Sequence, residues 1–263
     1  MFELYGGQDP RHIATYKPSE AARYLRVPAS SLWAWVFGTR YQTKSGAKPF
    51  EPVIQRPKPK ERLLSFTNLI ELHVLNGIRK VHNVPLVQVR QGLNYLKDLY
   101  SMEHPLASQK LYTDGIDLFV EHLGKFVNAS RHGQLAIPEI VQFYLQRIEW
   151  DEEGLAARLY PFTRLNESSE PTWIVIDPSV SFGQPAVVDM GVPTAILAQR
   201  YAAGESIDEL ASDYECDRLK IEEAIRYELA WSSMNRSGRS WQGDSIVYGW
   251  CYRCFTTFVD RAK

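Results

Sequence analysis

Apolar and polar positions along this chain keep different rhythms in different stretches, and each rhythm predicts a kind of element. In SEAARYLRVPASSLWAWVFG, residues 19–38, Ala22 and Leu25 lie one turn apart. Leu32, Trp35 and Val36 then share one side of a second short run. A residue before proline avoids the helical region, so with Val27 ahead of Pro28 the first helix should stop near Arg26. Pro28 can open the second helix and Gly38 end it. Ser19 is placed to cap the first. Two helices of this size with a tight joint have helix-turn-helix proportions. A helical hairpin that only completes a core would look the same at this level.

After Gly38 the helical rhythm disappears. TRYQTKSGAKPFEPVIQRPKPKER has short extended pieces around Tyr41 and Val53-Ile54, and a two-stranded wing with a Ser45-Gly46 tip is the natural reading. A basic linker is the competing one. Helical spacing returns in LSFTNLIELHVLNGIRKVH, with Phe66, Ile70, Val74, Ile78 and Val81 on one stripe. Beyond the break at Asn83-Val84-Pro85, the residues Leu86, Val89, Leu93, Leu96 and Tyr100 recur at heptad spacing, which suits either a dimer seam or a core helix. From Gln109 to Ile137 the pattern is extended, with turn signals at Thr113-Asp114-Gly115 and His132-Gly133. A helix over PEIVQFYLQRIEW comes next.

The polar run RLNESSEP is the candidate boundary. It divides the chain into residues 1–165, a winged helix-turn-helix with a β-containing extension, and residues 166–230, a C-terminal domain, leaving 231–263 as an aromatic tail. The C-terminal domain begins with a strand at Trp173–Ile176, turns at Asp177-Pro178 and Asp189-Met190-Gly191, and continues as three short helices. The second of these opens on a capping box, Ser206-Ile-Asp-Glu209. The fold class expected is therefore α+β: a winged helix-turn-helix, a β-containing middle segment, and a strand hairpin with three helices in a helix-turn-helix-like arrangement.

Composition changes this picture little. Of 263 residues, 44% are hydrophobic and 23% charged, an ordinary balance for a globular protein. No apolar run is long enough for a membrane span, the N-terminus lacks the form of a secretory signal, and the 3 cysteines fit a reducing cytoplasm. Charge changes it more. From Arg11 to Arg62 there are eleven Lys/Arg against three acids, a surplus of +8 hidden by the overall −1. From Glu205 to Glu228 nine acids face three bases, a local −6. The first stretch suits a polyanion and the second does not.

Candidate chemistry is sparse. The histidines form no metal-hydrolase spacing, and no nucleophile elbow, Walker loop or dinucleotide glycine pattern occurs. Asp177 and Asp189 flank a Gly/Pro-rich hairpin, where short carboxylates bond nearby amides. Cys251-Tyr-Arg-Cys254 is half of a zinc ribbon, with no second pair in the chain. The expectation is a binding protein with no enzymatic activity and no cofactor. A basic wing directly after a helix pair favours DNA, since phosphate contacts supply affinity and register. Lys17, Arg40, Lys44, Lys48 and Lys58 are the candidate phosphate contacts. Ser30 and Ser31, at the start of the second helix, with Ala34 beside them, are the candidates for base edges.

YKPSEAARYLRVPASSLWAWVFG followed by LSFTNLIELHVLNGIRKVHNVPLVQVR resembles the winged helix-turn-helix of MerR-like regulators. More closely, it resembles the N-terminal domain of a subgroup of VapB-type antitoxins. The stretch IVIDPSVSFGQPAVV, continued by GVPTAILAQRYAAGESIDELASDY and IEEAIRYE, resembles that subgroup's C-terminal antitoxin-associated domain of unknown function. Its pattern is met at Asp177-Pro178, Gly183-Pro185, Gly191-Thr194 and Ala203-Ser206. The likeness runs from Tyr5 to Glu228. It departs at Val188-Asp189-Met190-Gly191, where the family prefers a glycine-threonine pair, and nothing in it covers the tail.

The resemblance implies an antitoxin that represses its own operon through operator DNA and neutralises a PIN-like ribonuclease toxin, with Ser30, Ser31, Trp33 and Arg40 on the DNA. An acidic unit suits a toxin whose own surface must be basic to hold RNA. That makes Asp208, Glu209, Asp213, Glu222 and Glu223 the candidate toxin contacts. A homodimer is expected, because paired half-sites mirror two-fold symmetry. The competing function is a MerR-like effector- or redox-sensing transcriptional regulator with a ligand pocket within residues 100–160.

Overall fold

Residues 5–43, 46–80, 86–115, 119, 140–164 and 171–236 are described by the structure, a computed structural model. The chain forms two units, Met1–Trp231 and Ser232–Lys263. Apart from residues 232–236, which end the last helix, everything below belongs to the first unit.

Helix α1, Pro18–Leu25, starts with the Lys17 N–H donating to Glu20 Oε2 at 2.9 Å. The cap therefore sits at Lys17 and not at Ser19. Pro18 has no N–H to satisfy and takes the first helical position, which places Ser19 inside the first turn. Arg26 ends α1 in the left-handed region, at φ 53°. Helix α2, Ala29–Phe37, buries Leu32, Trp35 and Val36, the face its spacing predicts. Gly38 follows at φ 78°, where a Cβ would stand 2.3 Å from the Phe50 carbonyl oxygen, so only glycine lets the chain turn here. Strand β1, Thr39–Thr43, then pairs antiparallel with β2, Gly46–Phe50, in the register Thr39↔Phe50 to Thr43↔Gly46. Val53 and Ile54 donate their N–H groups to the Trp35 carbonyl at 2.8 and 3.1 Å, returning the chain to α2.

Helix α3, Phe66–Lys80, is the centre of the unit, and every residue from Phe66 to Leu75 is buried. A helix enclosed on all sides must also satisfy its polar side chains. Asn68 Nδ2 donates to Glu71 Oε2 (3.0 Å) and to the Gln55 carbonyl (2.8 Å). His104 Nδ1 donates to Glu71 Oε1 at 3.1 Å, and His73 Nε2 to the Tyr144 carbonyl at 3.0 Å. Helix α4, Leu86–Tyr100, buries Val89, Leu93 and Leu96, with Leu86 and Tyr100 against the same core. Its heptad positions are core positions.

The middle of the chain departs from its local signals. Thr113-Asp114-Gly115 lies within a π-helical turn, Leu111–Gly115, and makes no hairpin. Leu111 and Gly115, one helical turn apart, are both buried. The turn at His132-Gly133 lies outside the described residues. The helix read over PEIVQFYLQRIEW covers 140–145, after which Ile148–Trp150 becomes strand β3, paired antiparallel with β4, Ala156–Leu159. Buried Arg147 fixes that break: its guanidinium donates to the carbonyls of Tyr160 (2.8 Å), Pro161 (3.2 Å) and Pro171 (3.1 Å).

A bridge between Leu159 and Ile176 leads on to β5, Ile174–Val175, paired antiparallel with β6, Ala186–Val187. Helices α5 (Thr194–Ala202), α6 (Ile207–Asp213) and α7 (Arg218–Arg236) follow. The capping box of α6 is present: the Glu209 N–H donates to Ser206 Oγ at 3.2 Å, and the Ser206 N–H to Glu209 Oε2 at 2.7 Å. These elements close a second, smaller core of Ile174, Val187, Leu197, Leu210, Ile221 and Ile225. Among the described residues no helix is long and apolar enough to cross a membrane.

Candidate functional site

Because α2 turns Leu32, Trp35 and Val36 inward, its opposite side faces out. Ser30 is exposed, Ser31 half-buried, and Trp33 44% exposed, an unusual placement for so large an apolar surface. Trp33 leans on Phe37, one turn on, with ring centroids 4.3 Å apart. The Arg62 guanidinium stands over Trp33 at 5.7 Å and that of Arg56 over Phe37 at 4.7 Å. Arg56 is held there by donating to the Glu61 carbonyl at 2.6 Å. The result is an aromatic ridge on α2 flanked by two arginines, with cation–π contacts fixing the cations. Sequence reasoning missed Phe37, Arg56 and Arg62. The available signal was the one-turn spacing of Trp33 and Phe37 around an inward-facing Trp35-Val36 pair.

The other candidates are dispersed. Lys17 is exposed at the start of α1, Arg40 is exposed on β1, and Lys58 is exposed with its Nζ 3.1 Å from Glu61 Oε1. Lys44 lies outside the described residues, as does the side chain of Lys48, whose backbone pairs opposite Tyr41. Three cations of the +8 surplus turn to the chain itself. Arg11 pairs with Asp9 and Asp151, Arg23 with Glu228 at 2.7 Å, and the Arg26 guanidinium stands over the Tyr227 ring at 5.5 Å.

The acidic candidates fare differently. Asp208 Oδ1 lies 2.8 Å from Arg218 Nε, and Glu222 Oε1 lies 2.5 Å from the same guanidinium. Asp213 is paired with Arg200, as is Glu205. Glu209 caps α6, and the Ser206 amide and hydroxyl hold its carboxyl below the usual range. Glu223 is 1% exposed and offers nothing to a surface contact. Burial alone would raise its pKa, but Arg164 (2.9 Å), Thr163 and Arg226 (2.9 Å) together lower it. Three acids outside the candidate toxin contacts, Asp189, Glu215 and Asp217, are exposed.

Residues 5–26 and 178–228 are joined by direct bonds. Tyr227 Oη donates to the Tyr24 carbonyl at 2.9 Å, Tyr5 Oη to the Pro178 carbonyl at 3.0 Å, and Thr194 Oγ1 to Glu228 Oε1 at 2.6 Å beside the Arg23 pair. Gly183, at φ 71°, lies so close to Tyr16 that a Cβ would stand 2.0 Å from the phenol oxygen. Burial pushes the Tyr16 and Tyr227 phenols well above their ordinary values and keeps both neutral.

A cavity of about 170 Å³ lies among Arg11, His12, Thr67, Met102, His104 and Leu155. Among the described residues no group of three or more His, Cys, Asp or Glu is arranged to hold a metal ion, and Cys251 and Cys254 lie outside them.

Comparison with known proteins gives four findings. Residues 174–227 match a family described as a protein of unknown function, DUF433. Over 229 residues the chain is 30% identical to the Mycobacterium tuberculosis protein named "Putative antitoxin VapB45", a span covering 81% of this chain and 93% of that protein. It is 25% identical over 229 residues to the uncharacterized protein Rv2308 of the same organism, covering 81% and 89%. Among solved structures, the crystal structure of Rv2018 from M. tuberculosis matches with a TM-score of 0.59 at 25% identity, over 81% of this chain and 98% of that one.

Proposed function

The chain belongs to the family of VapB45, and on that footing we propose that it is an antitoxin acting in the cytoplasm as a homodimer. In this reading the α1–α2 pair and the β1–β2 hairpin form a winged helix-turn-helix on operator DNA, and the C-terminal residues hold a PIN-like ribonuclease toxin. Repression and neutralisation are both binding events, and no catalytic step is assigned. The observation that carries the DNA half is the outward face of α2, where Ser30 and Trp33 are exposed and the Trp33–Phe37 ridge lies between Arg56 and Arg62. A ridge of this kind fits a sugar-phosphate wall: the guanidiniums meet phosphate while the rings cover sugar. The likeness to VapB45 over 93% of that protein supports the antitoxin half.

The test is to express the tagged full chain with the two reading frames that adjoin its gene, purify it, and assay the product on its own promoter DNA. A stoichiometric complex with a ribonuclease-like protein, together with a promoter shift, is the expected result. Recovery of the chain alone, still shifting its promoter, would overturn the antitoxin reading and favour the effector-sensing regulator. One observation speaks for that second reading. The 170 Å³ cavity lies largely within the 100–160 segment, and it compares with engineered cavities of roughly 150 Å³ that hold benzene.

A further inference from the structure

Most acids of the 205–228 segment are already neutralised within the chain. Arg218 engages Asp208 and Glu222, Arg200 engages Glu205 and Asp213, and Glu223 and Glu228 are held by Arg164, Arg226 and Arg23. The net −6 is therefore unevenly available. Of the rest, Glu209 caps α6, while Glu215 and Asp217 lie on one groove of about 420 Å³, between the turn after β6 and the turn between α6 and α7. Its floor is Met190, Val192, Tyr214 and Cys216, apolar side chains half-buried against the smaller core. Burial raises the Cys216 thiol, so it adds no charge. Its rim carries Asp189, Glu215 and Asp217, set against the single cation Lys220.

The rim acids differ in what they can offer. Asp217 Oδ1 accepts the Leu219 N–H at 2.8 Å and caps α7. Asp189, with a side chain 77% exposed, meets Lys220 Nζ at 3.1 Å. Glu215 has no ion-pair partner among the described residues. Asp189 and Glu215 both adopt positive φ, 70° and 49°, which fixes where each carboxylate starts. An apolar floor with an acidic rim complements one kind of side chain, a long aliphatic stem ending in a cation.

We infer that this groove takes a lysine or arginine side chain of the ribonuclease toxin, with its stem over Met190, Val192 and Tyr214 and its cation between Asp189 and Glu215. The inference rests on the antitoxin reading and narrows it. A ribonuclease must display cations to hold RNA, so the groove would engage a group the toxin cannot discard.

The test uses the full chain and the ribonuclease-like protein encoded beside it, with affinity measured by titration calorimetry at two salt concentrations. Glu215→Gln leaves the backbone and shape in place, Glu215→Lys reverses the charge, and Asp98→Lys, at an exposed position of α4 outside the C-terminal elements, serves as the control. The expected result is a loss of roughly tenfold for Glu215→Gln and thirtyfold or more for Glu215→Lys, with a shallower salt dependence, and little change for the control. Promoter binding by all three should match the parent, which also reports that they fold. Equal affinity of the Glu215 variants and the parent would overturn the groove assignment alone. A control that loses as much as Glu215→Lys would overturn it too, since the effect would then be one of general charge. If the parent chain forms no complex with that protein, the antitoxin reading falls and takes the groove with it.

Discussion

His73 supplies a pH dependence whose size can be worked out from its surroundings. The ring lies in the centre of α3, fully buried, 4.8 Å from the Tyr144 ring and 5.5 Å from Phe162, with Nε2 donating to the Tyr144 carbonyl. Burial pushes its pKa down from 6.5 to about 3. Arg147 and Lys80 push the same way, and the Tyr144 carbonyl opposes them. The folded protein thus holds His73 neutral, while the unfolded chain takes up a proton below its ordinary value. Stability present above pH 6.5 is lost as pH falls toward the folded value. Between pH 7 and 5 the loss is about 2 kcal/mol, set almost wholly by the unfolded chain because both pH values lie well above the folded value.

His104 has the opposite sign. Glu71 raises its pKa, so its contribution is complete at low pH and fades as pH rises through the folded value. The assay must therefore isolate His73. Urea unfolding of the parent and of His73→Phe at pH 7 and pH 5 does so, since His104 is common to both. Phenylalanine fits the aromatic setting. The Tyr144 carbonyl keeps the Arg147 N–H at 3.1 Å, so the substitution adds only a pH-independent offset of about 1 kcal/mol. The parent should lose about 2 kcal/mol more than the variant between the two pH values. Parallel losses would mean that His73 is protonated in the folded state, and the burial argument would be refuted.

The α2 ridge gives a second expectation. Arg56→Ala and Arg62→Ala should each weaken promoter binding on every sequence tested and lower the slope of log affinity against log salt by about one. Unchanged slopes would put the ridge off the phosphates. Trp33→Ala should leave urea stability within about 1 kcal/mol of the parent, since the ring stands on the outer face of α2 and not in the core, yet cost roughly tenfold in DNA affinity. Equal binding would return Trp33 to mere surface. Gly183→Ala should destabilise by about 3 kcal/mol, because it adds a Cβ where Tyr16 stands and at a positive φ. A denaturation midpoint like the parent's would show that Tyr16 can move aside.

Legibility in the sequence tracked the range of the forces involved. The α1–α2 pair was readable because each bound is a local event: Val27-Pro28 stops one helix, Gly38 ends the next, and the inward trio of α2 has helical spacing. The capping box of α6 was readable for the same reason. The break after residue 145 was not. It depends on Arg147 reaching the carbonyls of Pro161 and Pro171, which no pattern within one window reports. The state of the acids was hidden for a related reason. Counting charge finds the surplus near Asp208 and Glu223, but only tertiary pairing shows which carboxylates are already taken, and it leaves Glu215 standing out. The aromatic ridge was half visible. Trp33 was singled out, yet its arginines come from a loop more than twenty residues away.

The bond from Tyr227 to Tyr24 spans 203 positions of chain and also has a consequence in time. At about 5–20 residues per second, roughly 10–40 s of synthesis separate the two tyrosines. During that interval α1 exists without the surface that receives Arg23, Tyr24 and Tyr16. The last contacts to form in the nascent protein therefore involve some of the first residues made.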